Sequence, residues 1–490
     1  MVELQILRRL ARGLPSAKVL CVGDIMLDRF IHGAVERISP EGPIPVLLVK
    51  HEVEMLGGVG NVAANLSALG AKAGLYSVVG SDDAGRRIET LLESLEGCRP
   101  LLLIDPNRPS TVKTRCVSQR QQMLRIDREV STPLNEEQID ELVTRMRANF
   151  AHYDVLLISD YKKGVLAQRV ISELIVHAKQ QGLAVLADPK GTDYSLYIGA
   201  TVITPNRAEL AAATGLPTVT DAQVETACGA LIEKFGFESV LATRSEDGMS
   251  LVTRDGASEH IKPMAREVFD VAGAGDTVIA IMAAALATGA TLFECASLAN
   301  LAAGIVVGKF GTATTSVDEL LSELRDTESK RFEDKIVDLD SAMRILEDWR
   351  RAKLSIGFTN GCFDLLHPGH VTILATAKAQ CDRLIVGLNS DASIARLKGA
   401  GRPLQGELAR ATVLASLAST DLIVPFEEDT PLMLLERLRP DLLLKGADYK
   451  IDEVVGAELV RSYGGNVKLL DLVPGHSTTS LVRKMQQSGH

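Results

Sequence analysis

At 490 residues the chain is too long for a single hydrophobic core, so two or three domains are expected. A formal net charge of −10 without any strongly basic segment argues against nucleic acid or an anionic membrane as partner. Apolar residues make up 46% and aromatics 4%, so the interior must be built from Ala, Val, Ile and Leu.

Residues 1–18 carry an amphipathic helical pattern and lack the uninterrupted apolar stretch of a secretory leader. Strand-like runs follow at 18–22, 154–159, 183–187, 201–204 and 239–242, each succeeded by helical periodicity or a polar turn. That alternation predicts α/β layers on a largely parallel sheet. Residues 43–54 break it, reading as extended, proline-bearing strands of a small accessory sheet. The longest apolar run, 278–287, is short of the roughly 20 residues a membrane span needs. It follows a glycine-rich turn, as a buried helix would. The sequence TESKRFEDKIVDLD at 327–340 is charged and marks a junction. The reading is a first domain over 1–325, a linker over 326–344 and a second domain over 345–490. A helix at about 339–353 leads into it, and its strands are expected at 354–359, 383–388, 422–425, 442–445 and 467–470. The seven cysteines are scattered without C-x-x-C spacing and read as reduced core residues of a cytoplasmic protein.

Two stretches carry chemistry. Gly273-Ala274-Gly275-Asp276 precedes a helix of small residues. Glycines let backbone N–H groups converge at a helix N-terminus, where the peptide dipoles favour a phosphoryl group. Asp276 beside such an anion hole can take a proton from an attacking hydroxyl; the plainer reading is a glycine-rich turn with an N-cap. Far downstream, His367-Pro-Gly-His370 puts two imidazoles three residues apart at a strand-to-helix turn. Positions i and i+3 share a side of a helix, and proline suits a helix start. Such a pair makes a pocket for phosphate oxygens, unless it is coincidence or part of a metal set. Thr359, Gly361 and Asp364 precede it, and His476-Ser-Thr-Thr-Ser480 opens a late helix with further hydroxyls. The segment 111–125 is rich in cations, with Lys113, Arg115, Arg120 and Arg125. It is either a solvated edge strand or a site for a phosphate already on the substrate. Lys162 and Lys163 pose the same choice.

The order Asp28, Gly57-Gly58-Val-Gly-Asn61, Asn206-Arg-Ala-Glu209 and GAGD resembles the ribokinase-like (PfkB) carbohydrate kinases over about 15–320. This resemblance implies a ribokinase-like α/β fold with a small β lid. It implies Asp276 as catalytic base, Gly273, Ala274 and Gly275 as anion hole, and Asp28, Gly57, Gly58 and Asn61 as sugar ligands. Lys113, Arg115 and Arg125 are the candidates for a sugar phosphate. Asn206 and Glu209 would organise Mg²⁺ and ATP phosphates, largely through water, while Thr243 and Gly248 would line the adenine-nucleotide loop and Asn300, on a following helix, would lie near the purine. The chain departs from the family pattern in DVAGAGD, where hydroxyls are missing at Val271 and Ala272, and in TRSEDG, with Ser245 where glycine is frequent.

The second half resembles the Rossmann-like HxGH nucleotidyltransferases of cytidylyltransferase type. That implies His367 and His370 on the α-phosphate, with Thr359, Arg410, Ser477, Thr478 and Thr479 as nucleotide contacts and Lys445 as the acceptor-phosphate cation. Together, GDIMLDRF, RISPEGPIPV, QQMLRID, GKFGTAT, TNGCFDLLHPGHV and VPFEEDTP resemble the bifunctional heptose-7-phosphate kinase/heptose-1-phosphate adenylyltransferases. The resemblance implies ATP as substrate of both halves, Mg²⁺, heptose phosphates, a separate bisphosphate phosphatase as pathway partner and a homodimer through the lid at 37–54. The rival readings are a different sugar-phosphate kinase fused to a CTP-dependent transferase, or a sensor that only binds.

Overall fold

The computed structural model describes residues 2–118, 121–263, 268–399, 401–446 and 453–470. The chain divides into two compact units, Met1–Leu324 and Arg325–His490. Among the described residues, no helix is long and apolar enough to cross a membrane.

The first unit is built on a nine-stranded sheet. Its spatial order is Ser258–Ile261, Met249–Thr253, Ser239–Thr243, Val202–Ile203, Ala184–Asp188, Val155–Ser159, Lys18–Gly23, Lys72–Gly80 and Cys98–Asp105. All neighbours pair in parallel except at Met249–Thr253, which is antiparallel to both its partners. The central strands read as unbroken apolar runs because both faces are covered. In Lys18–Gly23, Val19 and Cys21 join one core while Leu20 and Val22 join the other, as a two-residue period requires. Helices Val59–Ala68, Ala274–Ala287 and Leu292–Val306 cover the first face. Glu136–Arg147, Gln168–Gln180 and Asp221–Phe235 cover the second. The N-terminal helix Leu4–Gly13 docks Leu7, Leu10 and Ala11 onto the first core, so its amphipathic pattern is structural.

A separate four-stranded sheet has the order Pro45–Gly58, Ile25–Ile38, Thr111–Ser118 and Gln121–Arg128. It is larger than the accessory segment expected from 37–54. Its hairpin runs over the whole of 25–58, and the cation-rich stretch supplies the other two strands.

The second unit is a parallel five-stranded sheet ordered Leu422–Phe426, Arg383–Asn389, Ile356–Gly361, Leu442–Gly446 and Asn466–Leu470. The unit's first strand, Ile356–Gly361, is central, and the winding reverses between it and Leu442–Gly446. In open α/β sheets a ligand crevice forms at the carboxyl ends of the strands at such a reversal.

The segment 326–344 is not a linker. Helix Val317–Glu333 occupies its beginning and helix Leu339–Arg351 its end. Between them Ile336 bridges to Ile423, which exchanges backbone hydrogen bonds with this segment (Val337 N donates to Ile423 O, 3.0 Å, and Ile423 N donates to Lys335 O, 2.7 Å). The segment thus covers the edge of the sheet, and Ala342 and Leu346 are fully buried in the core below it.

Candidate active sites

In the first unit Asp276 lies in the first turn of helix Ala274–Ala287, buried although charged. Gly273 caps that helix at φ +76°, and a Cβ there would press on the Asn61 amide and on Thr312, so only glycine fits. Asn61 Nδ2 donates to Asp276 Oδ2 (3.0 Å), and the Tyr161 hydroxyl donates to Oδ1 (2.9 Å). Burial pushes the Asp276 carboxyl up to about 6, against the pull of these two donors; Asp28 adds to the rise and Lys113 opposes it. Of the expected anion hole, the Ala274 N–H is already engaged by Val271 O (3.3 Å). A side chain at Gly275 would meet open space within 4 Å, which leaves a ligand free to approach.

The lid brings its charges to the same place. Register pairs Asp28 with Lys113 and Asp127, and Phe30 with Arg115 and Arg125. Period-two alternation therefore puts all of these on one face of the sheet. Arg115 is paired with buried Asp28 at 2.5 Å, and its guanidinium stands 5.1 Å from the Phe30 ring centroid. Lys113 stands 5.4 Å from the Tyr161 ring centroid. A Cβ at Gly57 would run into the Asp28 carboxylate, and one at Gly58 into the Asp24 carbonyl. Arg125, farther out on an exposed strand, is bidentate on Asp127 (3.0 and 2.9 Å) and is not drawn into this cluster. Arg120 lies outside the described residues.

Asn206 and Glu209 form a capping box on helix Arg207–Thr214 (Glu209 N to Asn206 Oδ1 2.9 Å, Asn206 N to Glu209 Oε2 3.0 Å). The other Glu209 oxygen takes Lys190. Among the described residues no group of three or more His, Cys, Asp or Glu is arranged to hold a metal. Thr243 ends its strand beside Asn206, and Gly248 sits at φ +78°, where a Cβ would strike Ile261 O. Asn300 donates to Lys262 O (2.9 Å), fastening the strand end next to that loop.

Three acids escaped the sequence reading, namely the buried Asp24 and Asp160 and the half-buried Asp188. Each follows or ends a parallel strand at its carboxyl end. Asp188 accepts from Thr204 (3.0 Å), and burial, followed by Asp276 and Glu209, pushes its carboxyl up to about 8.

In the second unit His367 caps helix Pro368–Lys378, and the rings of His367 and His370 stack with centroids 3.8 Å apart. Phe363 flanks His370 at 5.2 Å. Burial, then His367 and Lys398, lowers His370 to about 4 against a hydrogen bond to the Leu365 backbone, so it is neutral at pH 7. Lys398 is a further cation near the pair that the sequence reading passed over. Thr359 is buried in the central strand. Lys445 ends the strand across the reversal and donates to Asn360 O (3.1 Å). The pair and Lys445 thus flank the crevice expected at the switch point. Ser477, Thr478 and Thr479 lie outside the described residues.

Arg410 is the clear correction. Its side chain is fully buried and donates to Gln405 O (3.0 Å), Cys362 O (2.7 Å), Asn389 O (2.9 Å) and Asp391 (2.6 Å). A guanidinium with its donors so engaged is a clamp on the loops around the pair, not a nucleotide contact. Asp364, also buried, likewise holds Arg402 and Leu404 N.

The pfkB family carbohydrate kinase model matches residues 16–319, and the cytidylyltransferase-like model matches 358–483. The chain is 55% identical over 485 residues to Bifunctional protein HldE of Paramagnetospirillum magneticum, covering 99% of each chain. It is 52% identical to that of Rhodospirillum rubrum over 98% of this chain and 97% of the relative. The chain belongs to the HldE family. This HldE-family protein is a bifunctional enzyme, joining a carbohydrate kinase to a nucleotidyltransferase-like domain, and full-length identity supports the heptose kinase/adenylyltransferase role. Its first unit shares its fold with phosphofructokinase-2 of Escherichia coli (TM-score 0.54, 20% identity, 63% of this chain and 99% of that one). Arabidopsis thaliana ribokinase gives a TM-score of 0.51 at 21% identity, covering 63% and 99%.

Proposed function

We propose that the first unit phosphorylates D-glycero-D-manno-heptose 7-phosphate at O1 with ATP, and that the second transfers AMP from ATP to heptose 1-phosphate. The observation that carries the kinase half is Asp276, a buried carboxylate held by one donor on each oxygen at a helix N-terminus. It takes the proton from O1. O1 attacks the γ-phosphorus, the bond to the β,γ-bridging oxygen breaks, and ADP leaves. Lys113 and Arg115 supply the positive face for the 7-phosphate, with Asp28, Gly57, Gly58 and Asn61 around the sugar. Arg125, bound to Asp127, is the weakest of that set.

Mg²⁺ would enter with ATP, and Glu209 is the residue that would hold it. Glu209 would reach it through water, since its carboxylate is already shared between a helix cap and Lys190. Bound there, the ion neutralises charge on the transferring phosphate. Thr243, Gly248 and Asn300 border the nucleotide.

In the second unit an oxygen of the sugar 1-phosphate attacks the α-phosphorus, the α,β-bridging bond breaks, and pyrophosphate leaves with ADP-heptose formed. His367 and His370 bear on the α-phosphate, Thr359 borders it, and Lys445 receives the acceptor phosphate. ATP rather than CTP rests on the full-length family match. A nucleotide panel with heptose 1-phosphate tests it, and faster turnover with CTP would overturn it.

The kinase product still carries its 7-phosphate, so a separate phosphatase must act between the two steps. Heptose 7-phosphate, ATP and Mg²⁺ with the purified chain should stall at the 1,7-bisphosphate. ADP-heptose formed without added phosphatase would contradict this order. The seven cysteines are all free, which suits a cytoplasmic protein.

A further inference from the structure

We propose that Tyr161 is the positioning residue of the kinase reaction, its hydroxyl fixing the Asp276 carboxylate while Asp24 fixes the loop that carries Tyr161. This rests on the reading of Asp276 as the base.

Tyr161 stands just past the strand Val155–Ser159, in a loop with an unusual backbone. Lys162 sits at φ +53° and Gly164 at φ +91°. A lysine in the left-handed region needs its surroundings to hold it there. Asp24 does so from the neighbouring strand end. One of its oxygens accepts from Tyr161 N and Lys163 N, both at 2.9 Å, and the other from Val165 N at 3.1 Å. Asp160 adds a fourth tie, accepting from Lys162 N at 2.7 Å while Tyr197 holds its other oxygen. Alternate amides of one loop are thus gathered on one buried carboxylate, and the residue so presented is Tyr161.

The ring lies between the lid cation Lys113 and Asp276. Its hydroxyl takes Oδ1 and Asn61 takes Oδ2, so the carboxylate plane is set, and the remaining lone pairs are left for the acceptor hydroxyl. The groups that face Asp276 are Asn61 on helix Val59–Ala68, Tyr161 on the loop, Asp28 and Lys113 on the lid, and Asp188 at the end of its strand. Of these, Asn61, Tyr161 and Lys113 favour the ionised base, while Asp28, Asp188 and burial oppose it. Removing the Tyr161 hydroxyl takes away one of the donors that keep the base ionised and one of its two tethers.

The test is Tyr161→Phe in the full-length chain, which keeps the ring beneath Lys113. Kinase kcat should fall about 10- to 100-fold, as misplacement of a reacting group costs. The acidic limb of the kinase kcat/KM profile should move to higher pH. Adenylyl transfer in the same preparation should be unchanged. Asp24→Asn, which weakens the loop's anchor, should shift both kinase readings in the same direction. Kinase profiles that superimpose on the wild type would overturn the proposal, and so would a lower kcat with an unmoved limb, the mark of a purely structural role. Asp276→Asn run alongside separates the two claims. If it stays active, the base reading fails; if it is dead while Tyr161→Phe behaves as wild type, only the positioning role fails.

Discussion

At the scale of single residues the first unit gathers acids where burial works against their charge. Asp276 is pushed up to about 6, and as a base it must be ionised. Kinase kcat/KM should therefore rise as pH increases through about 6 and level off above, which a profile from pH 5 to 8 checks. Asp188 gives a stability prediction with a defined sign. In the folded chain it is pushed up to about 8, above the ordinary aspartate value of 3.8, so folding takes up a proton between these limits. Its favourable contribution is complete below the unfolded value and is lost as pH rises towards 8. Asp188→Asn keeps an acceptor for Thr204 without that liability. It should stabilise the first unit more at high pH than at pH 5 in thermal melts. An equal effect at both would mean that Asp188 is ionised throughout. Sequence inspection found Asp276 because a glycine motif surrounds it. Tyr161 and Asp188 stand outside any such motif, and Asp24 lies within GDIMLDRF, where Asp28 draws the assignment. The usable signal was their place at the carboxyl ends of predicted parallel strands, the rim where such sheets bind ligands.

At the scale of elements, the main strands were legible because β-branched apolar runs mark a sheet covered on both faces. The lid was only half legible. The 25–58 hairpin and the 111–128 pair meet through non-local pairing, and nothing local says that the alternating charges of 111–125 share a face with Asp28. Exposed Ile44 and Leu48 on the lid support the proposal that it is also a dimer contact. Sedimentation at micromolar concentration should find a dimer; a strict monomer would contradict it. Arg410 was misread because an arginine on a helix near a phosphate motif looks the same in sequence whether it is exposed or buried. Arg410→Met would leave the carbonyls of Cys362, Asn389 and Gln405 short of a donor. The second unit should lose at least about 2 kcal/mol in denaturant titrations, since buried polar groups are left unpaired. A normal unfolding midpoint with only a raised KM for ATP would restore Arg410 as a nucleotide contact.

At the scale of the whole molecule, the charge of 326–344 hid the apolar residues that make it structural. Phe332, Ile336, Val337 and Leu339 all pack on the second unit's cores. A fragment 325–490 should fold and transfer AMP, whereas 345–490 should not, because it loses buried Ala342 and the segment that covers the Leu422–Phe426 edge. Equal solubility and melting of the two fragments would count against this. The central claim is that one chain carries two chemistries, a base-assisted kinase at Asp276 and an adenylyltransferase at the stacked histidines. The most direct test is mass spectrometry of products from ATP with heptose 7-phosphate and, separately, with heptose 1-phosphate, for the wild type, Asp276→Asn and His370→Ala. Asp276→Asn should lose bisphosphate formation by roughly 10²- to 10⁴-fold and keep ADP-heptose formation, and His370→Ala should do the reverse. Loss of both products in either variant with its fold intact, or near-normal bisphosphate from Asp276→Asn, would contradict the account.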